Sequence, residues 1–220
     1  MLALAGIVVL VPARSSHPGP ESPDGLRAQL RAFRSRQVWL TLADTTLGYG
    51  AMFGASTYLA FTFTEVGCFS PADVAWLLMV YGVGLVAGNL IGGLAADHDR
   101  DRALLLALLA LTLTLTLTAF GLLTGSAPAS VVLVFLLGVS GFAGVPGMIT
   151  RVTDVAHGAA PAAGANVSAS DIGNAPGAWL GGLATTAGLG YAAPPYVGAC
   201  IALASAVVMA VAAHDARSAR

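Results

Sequence analysis

Two carboxylates stand inside long apolar stretches of this 220-residue chain, and they are its best candidates for chemistry. Asp44 falls within 38–63 and Asp171 within 163–189. A charge inside a membrane-length apolar run is expensive. It marks a solute or proton pathway unless its side chain simply reaches the interface. Both residues lie two or so turns in from the arginine-bearing end of their stretch, ~10 Å deep by helical rise. A carboxyl at that depth faces a water-filled cavity, pairs with a cation or holds a proton. No arginine falls at matching depth, so no internal ion pair is expected. Asp171 keeps polar company in Asn166, Ser168, Ser170 and Asn174, and reads more as cavity lining than Asp44 does.

Other reactive groupings are weaker. Asp97, His98, Asp99 and Asp101 crowd one short segment, AADHDRDR. A charged loop fixing two helix ends explains it better than a metal site, and no metal or other cofactor is expected. Cys68 sits in a gap and Cys200 within the last stretch, so pairing is not expected, and neither has zinc spacing. Gly138-Val139-Ser140-Gly141 and Ala156-His157 match the GxSG and AH elements of rhomboid-type intramembrane serine proteases. A serine nucleophile needs its base within hydrogen-bond reach. His157 follows only 17 positions later, in a polar gap rather than a separate span, so no enzyme is expected.

The elements that must position these residues are written in the apolar pattern. The chain is 56% hydrophobic and 10% charged, against a usual charged fraction of about a quarter. That excludes an ordinary soluble domain, and a net charge of -1 gives no reason to expect nucleic acid. Six stretches, about 38–63, 73–96, 103–124, 129–150, 163–189 and 194–213, approach or exceed the ~20 residues that cross a bilayer as a helix. The run LTLTLTLT at 111–118 alternates like a strand, but an open strand in lipid leaves its backbone unpaired, so a helix is expected there. Its threonines then bond back to the preceding turn or face neighbouring helices.

There is no lysine, and all ten arginines fall in alternate gaps. Arg14, Arg27, Arg31, Arg34 and Arg36 precede the first stretch, Arg100 and Arg102 separate the second from the third, Arg151 follows the fourth, and Arg217 and Arg220 end the chain. Arginine near helix ends is retained on the cytoplasmic side. The pattern predicts a multi-pass protein of the cell inner (plasma) membrane, with the N-terminal linker and C-terminus cytoplasmic. Trp39, Trp76, Tyr191 and Tyr196 fall near span ends, as an aromatic belt requires. Residues 1–12 are apolar for too short a run to span, and are expected to be the end of a truncated transmembrane helix. The cytoplasmic linker 13–37 opens with three prolines, and its part 24–36 fits either a short interfacial helix or a solvated basic loop. Residues 214–220 form a cytoplasmic tail.

Glycines carry an internal repeat. Gly84, Gly88, Gly92 and Gly93 in the second stretch recur as Gly173, Gly177, Gly181 and Gly182 in the fifth, each 89 positions on. Leu94/Leu183 and Ala95/Ala184 share the offset. On the arginine topology these two spans run in opposite directions, so the expected fold is an all-α membrane protein of two inverted three-helix repeats. Independent small-residue packing faces are the competing explanation. Asn89 and Asn174 adjoin repeat glycines, as interhelical glue or as polar lining. Pro146 and Pro176 interrupt their spans and permit kinks.

From 38 to 213 the chain resembles the C-terminal half of a major facilitator superfamily transporter, of the drug:proton antiporter group that includes arabinose-efflux and chloramphenicol-efflux permeases. GYGAMFGASTYLAFTFTEV, YGVGLVAGNLIGGLAADHDRDR and ANVSASDIGNAPGAWLGGLATTAGLGY resemble that group's seventh, eighth and eleventh helices. Ala60 stands where the group usually has proline, His98 where it has arginine, and Asp171 where asparagine is common. The resemblance implies proton-coupled efflux of a small organic compound, drug or sugar-like, with Asp44, Tyr58 and Asp171 in contact with solute or proton. It makes Asp97, Arg100 and Arg102 the family-type inner loop. It also implies partners: the bilayer, a small-molecule substrate, protons, and a missing N-terminal six-helix half or a second copy. The competing expectation is a non-transporting or split half that needs a partner chain.

Overall fold

The computed structural model describes residues 32–67, 69–124, 127–157 and 161–218. The expectations for 1–31 and Cys68 lie outside the described residues. Within them the chain is all-helical, with no strand. After a 3-10 turn, Ala32–Arg34, come α1 (Arg36–Ser56), α2 (Leu59–Glu65), α3 (Pro71–Thr124), α4 (Ala127–Ala143), α5 (Val145–Val155), α6 (Pro161–Thr186) and α7 (Ala193–Ser218). Three stretches are long and apolar enough to cross a membrane: Pro71–Gly121, Pro128–Val155 and Ala193–Ser218.

Helix ends follow local chemistry. Ser70 and Asp73 cap α3 reciprocally: the Ser70 hydroxyl donates to the Asp73 carboxylate at 2.6 Å, and the Asp73 amide donates back to Ser70 Oγ at 3.3 Å. Pro71 occupies the first turn, where its missing N–H costs nothing. At the other end of α6, Gly188 adopts φ 79°, which only glycine takes without strain, and Leu189 N–H reaches back to the Ala184 carbonyl. The first expected span is broken once, at Thr57–Tyr58, into α1 and α2. The fourth is broken at Gly144, immediately before Val145-Pro146 begins α5. Pro176 sits inside α6 without ending it.

The helix α3 is continuous by hydrogen bonding but leaves helical geometry at Asp99, where φ is −149° and ψ is 93°. Neighbours of α4 show what happens there. Gly88 packs on the Val139 backbone, while Thr114 Oγ1 lies 2.7 Å from Ser140 Oγ. Residues on both sides of Asp99 therefore meet the same turn of α4, and α3 folds into a hairpin of two arms, 71–98 and 100–124. The threonines at 111–118 lie in the second arm. Thr112, Thr116 and Thr118 donate to the carbonyl four residues back, and Thr114 faces α4, so both expected uses occur.

Two glycine seams set how the helices pack. Gly173, Gly177 and Gly181 of α6 abut the backbone carbonyls of Thr46, Gly50 and Gly54 on α1. Gly84, Gly88 and Gly92 of the first α3 arm abut those of Phe135, Val139 and Ala143 on α4. Both members of each contact are displaced by 89 positions from their counterparts. In lipid, tails are as apolar as leucine, so helix association rests on such close van der Waals approach rather than on water exclusion. Elsewhere leucine, phenylalanine and methionine fill the interior: Leu59, Phe63, Leu77, Leu115 and Leu137 form one cluster, and Leu104, Leu108, Met148 and Met209 another.

Large apolar side chains also cover the outside. Trp76, Met79, Val83, Val86, Leu90 and Leu94 are exposed along the first α3 arm, as are Val167, Ile172, Trp179 and Leu183 on α6. Such continuous apolar faces are untenable in water and suit lipid or another helical body. Together with the three apolar stretches, they make this a membrane protein. Trp39, Trp76, Tyr191 and Tyr196 are exposed near helix ends, where a belt of interfacial aromatics belongs.

Candidate functional site

Charges collect at one end of the bundle. Arg36 at the start of α1 pairs with Asp215 near the end of α7 at 2.8 Å. Arg100 beside the α3 turn pairs with Asp154 on α5, and Arg102 pairs with Asp99 at 3.0 Å. Gln37 Nε2 donates to the Ala212 carbonyl at 3.1 Å, tying α1 to α7. The gaps before the first span, between the second and third, after the fourth and at the tail are thereby brought together. At the opposite end the contacts are aromatic, with Phe61 edge-on to Tyr191 and Phe63 edge-on to Phe69.

Arg151 is the centre of this end, and it corrects a sequence expectation. Rather than standing in a polar gap, it lies on α5 and is 1% exposed. Its guanidinium pairs with Asp101, donates from Nε to Thr41 Oγ1 at 3.1 Å and from Nη2 to Gln37 Oε1 at 3.1 Å. A rigid planar fork of five donors serves three acceptors spread over two helices, whereas an ammonium offers three donors from a single point. A buried ion pair does exist in this chain, then, and it joins α1, α5 and the second α3 arm one turn below Asp44. The apolar run ending near 150 hid it, because helix α5 continues past the hydropathy edge. The Asp97 and His98 side chains are exposed, whereas Asp101 is only 23% exposed in its pair with Arg151.

Asp44 is fully buried. Its side chain faces α7, where Ser205, also 0% exposed, places its hydroxyl 2.7 Å from Asp44 Oδ1 and 2.9 Å from the Asp44 carbonyl. Asp44 Oδ2 has no hydrogen-bond partner. Sequence reasoning passed over Ser205, a small polar residue in an alanine-rich run, because only the fold brings α7 against α1. On the adjacent side of α1, Gly48, Tyr49, Met52, Ser140, Gly144 and Met148 enclose a cavity of about 10 Å³, room for roughly one water.

The remaining candidates are dispersed. Asp171 is exposed on α6, beside the glycine seam that α1 fills. Asn174, one turn along, is half-buried, and its Oδ1 has no hydrogen-bond partner. Asn89 is exposed on the first α3 arm, beside Leu85, Val86 and Phe142. Tyr58 donates its hydroxyl to the Ala178 carbonyl at 2.9 Å and packs over Gly181 and Gly182, locking the break after α1 to α6. Ser140 shares its hydroxyl contact with Thr114 and His157 is exposed at the far end of α5, so they do not form a nucleophile–base pair. A wider groove of about 720 Å³ opens between α1 and α6, lined by Trp39, Leu42, Thr46, Ala165, Ser168 and Ile172.

Helices joined by glycine seams, with a buried carboxyl and a largely buried ion pair among them, place the chain in the class of multi-helix membrane proteins. No family model matches the chain. It is 31% identical over 206 residues to the inner membrane transport protein YdhP of Escherichia coli (strain K12), covering 91% of this chain and 52% of that protein. It is 29% identical over 168 residues to the uncharacterized MFS-type transporter YtbD of Bacillus subtilis (strain 168), covering 73% and 41%. It is 29% identical over 176 residues to the chloramphenicol resistance protein of Streptomyces lividans, covering 80% and 44%. The chain is similar to transporters of the major facilitator type and spans about half the length of the curated relatives it matches.

Proposed function

We propose that this chain is a C-terminal-type six-helix half of a major facilitator efflux transporter that exchanges a small organic compound for protons. In this reading α1 with α2, the two α3 arms, α4 with α5, α6 and α7 are six crossings. They form two three-helix units of opposite direction. The observation that carries the reading is the pair of glycine seams. The three close contacts of Gly173, Gly177 and Gly181 with α1 recur 89 positions away between α4 and the first α3 arm, with the order of the two helices exchanged. Independent packing faces give no reason for both partners of three contacts to share one offset.

The first and fourth crossings then line a central cavity. The second and fifth, with their exposed apolar faces, meet a second six-helix body, and the third and sixth lie outermost. The charged end is cytoplasmic. Asp171, exposed on α6, meets solute or protons. Asp44, sealed between α1 and α7, handles protons alone. Tyr58 positions the outer end of α1. A cavity needs two halves, so solute passes only when this half is joined to another, whether on a longer chain, a partner chain or a second copy.

Efflux of chloramphenicol from energised inverted vesicles or cells tests the reading. The chain is expressed alone and with the N-terminal half of Escherichia coli YdhP. Proton-gradient-dependent export is expected only in the paired sample. Export that persists after the gradient is collapsed would sink the antiport reading. A paired sample that assembles but moves neither chloramphenicol nor protons would favour a non-transporting half.

A further inference from the structure

The Asp44–Ser205 contact carries a statement about where a proton sits. Ser205 Oγ is 2.7 Å from Asp44 Oδ1 and 2.9 Å from the Asp44 backbone carbonyl, and both distances are those of hydrogen bonds between oxygens. A serine hydroxyl owns one hydrogen and two lone pairs. One hydrogen can be shared between two acceptors, but a shared bond is bent and longer than two contacts as short as these. The second short contact needs a second hydrogen, and the carboxyl is the one group there that can hold it.

We infer that in this conformation Asp44 is a neutral carboxylic acid that donates from Oδ1 to Ser205 Oγ, while Ser205 donates to the Asp44 carbonyl. The chain of two donors accounts for both distances with one hydrogen each. It also lightens the position of Asp44 Oδ2, which is buried without a partner. As the carbonyl oxygen of a neutral acid it costs far less in a dry site than as half of a carboxylate. Asp44 and Ser205 are both 0% exposed, and α7 closes over the pair.

The surrounding charges leave Asp44 without a counterion. On α5, Arg151 is committed to Asp101, Gln37 and Thr41. Arg36 of α1 is paired with Asp215 of α7, His214 on α7 is exposed, and Asp171 on α6 is exposed. The site is therefore a proton store inside the bundle, distinct from any solute contact. This inference rests on the transporter reading only for its use, and adds to it the regulation of one carboxyl by the α1–α7 seam. Release breaks the Oδ1–H bond and passes the proton to a water molecule. The electron pair stays on the carboxylate and hydronium leaves. Parting of α7 from α1, which breaks the Gln37–Ala212 and Arg36–Asp215 ties at the charged end, opens the pair to that water.

Infrared difference spectroscopy on the purified full chain in lipid nanodiscs tests this. At neutral pH the wild type should show the carbonyl stretch of a buried, hydrogen-bonded carboxylic acid. Asp44→Asn should abolish it, and its amide still donates to Ser205, so the fold should survive. Ser205→Ala should shift the band to the frequency of a free acid, Ser205→Thr should restore it, and Asp171→Asn should leave it unchanged. A wild type without the band, a band that survives Asp44→Asn, or one indifferent to Ser205→Ala overturns the inference. The readout needs no transport, so failed efflux with an intact band leaves the proton site standing. Working efflux without the band removes it.

Discussion

Arg151 has three acceptors around its guanidinium, and each is on a different helix or turn from its own. Removing it takes the guanidinium away from Gln37 and Thr41 and leaves Asp101 only the longer 3.5 Å contact to Arg100 Nε. Breaking a buried pair this way costs about 3–5 kcal/mol when both ions are enclosed; because Asp101 is 23% exposed, about 2–3 kcal/mol is expected once solvent screening is allowed for. Arg151→Met should lower the thermal midpoint of the detergent-solubilised chain by several degrees. Arg151→Lys should recover little of the loss, because one ammonium does not reach three acceptors set around a plane. A lysine variant as stable as the wild type would show that charge alone, not the fork, holds this end together. Asp171 belongs to the other kind of residue, exposed and free of any structural duty described above. Asp171→Asn should leave insertion and stability within about 0.5 kcal/mol of wild type, as surface changes usually do. In the assembled transporter it should flatten the dependence of efflux on pH. An unchanged pH profile would remove Asp171 from the pathway.

Between helices, the decisive atoms are the ones glycine lacks. Gly92 and Gly93 are neighbours on the first α3 arm, yet a Cβ on Gly92 would overlap the backbone of Ala143, whereas one on Gly93 meets nothing within 4 Å. Gly92→Val should therefore push α3 from α4 and cost about 1–3 kcal/mol, as overpacking does, and Gly93→Val should be close to neutral. The same contrast cannot be drawn at Gly181 and Gly182, because a Cβ on either meets Tyr58. Equal tolerance of valine at 92 and 93, read as the yield of monodisperse protein in detergent, would contradict the seam. These glycines were legible in the sequence, because their four-residue spacing and their recurrence at 89 positions need no coordinates. Their partners were not: Thr46, Gly50, Phe135 and Val139 meet them through backbone carbonyls, and a carbonyl carries no sequence signature. Helix extents were readable from apolar length. The breaks at Thr57–Tyr58 and Gly144 were not, since each depends on what the next helix packs against. Asp44 and Asp171 were found as charges out of place, but the difference between a sealed carboxyl and an exposed one appeared only when α7 was laid over α1.

For the whole molecule, the question is which ends share a side of the membrane. The ion pairs Arg36–Asp215, Arg100–Asp154 and Arg151–Asp101 gather the beginning of α1, the turn of α3, the end of α5 and the end of α7 at one end. If that end is cytoplasmic, alkaline phosphatase fused after Gly67, Thr124 or Gly188 should be active, and a fluorescent protein fused there dark. Fusions after Asp99, His157 or Ser218 should behave in reverse. The hard cases are α1 and α6, which are not among the stretches apolar enough to cross by length and composition. Their glycines, threonines and asparagines exist for close packing and polar lining, so each is a poor guest in lipid until its neighbour arrives. A carboxylate at a helix centre costs roughly 2.5–3.5 kcal/mol on insertion scales, and a neutral Asp44 escapes part of that cost. Insertion of α1 should accordingly depend on the seam with α6. Gly177→Val, whose Cβ overlaps the Gly50 backbone, should leave the reporter pattern after Asp99 and Thr124 intact while making the signals flanking α1 and α6 mixed. A clean alternation in that variant would mean that these two helices insert on their own apolarity. A wild-type pattern that does not alternate at all six ends would remove the six-crossing half itself.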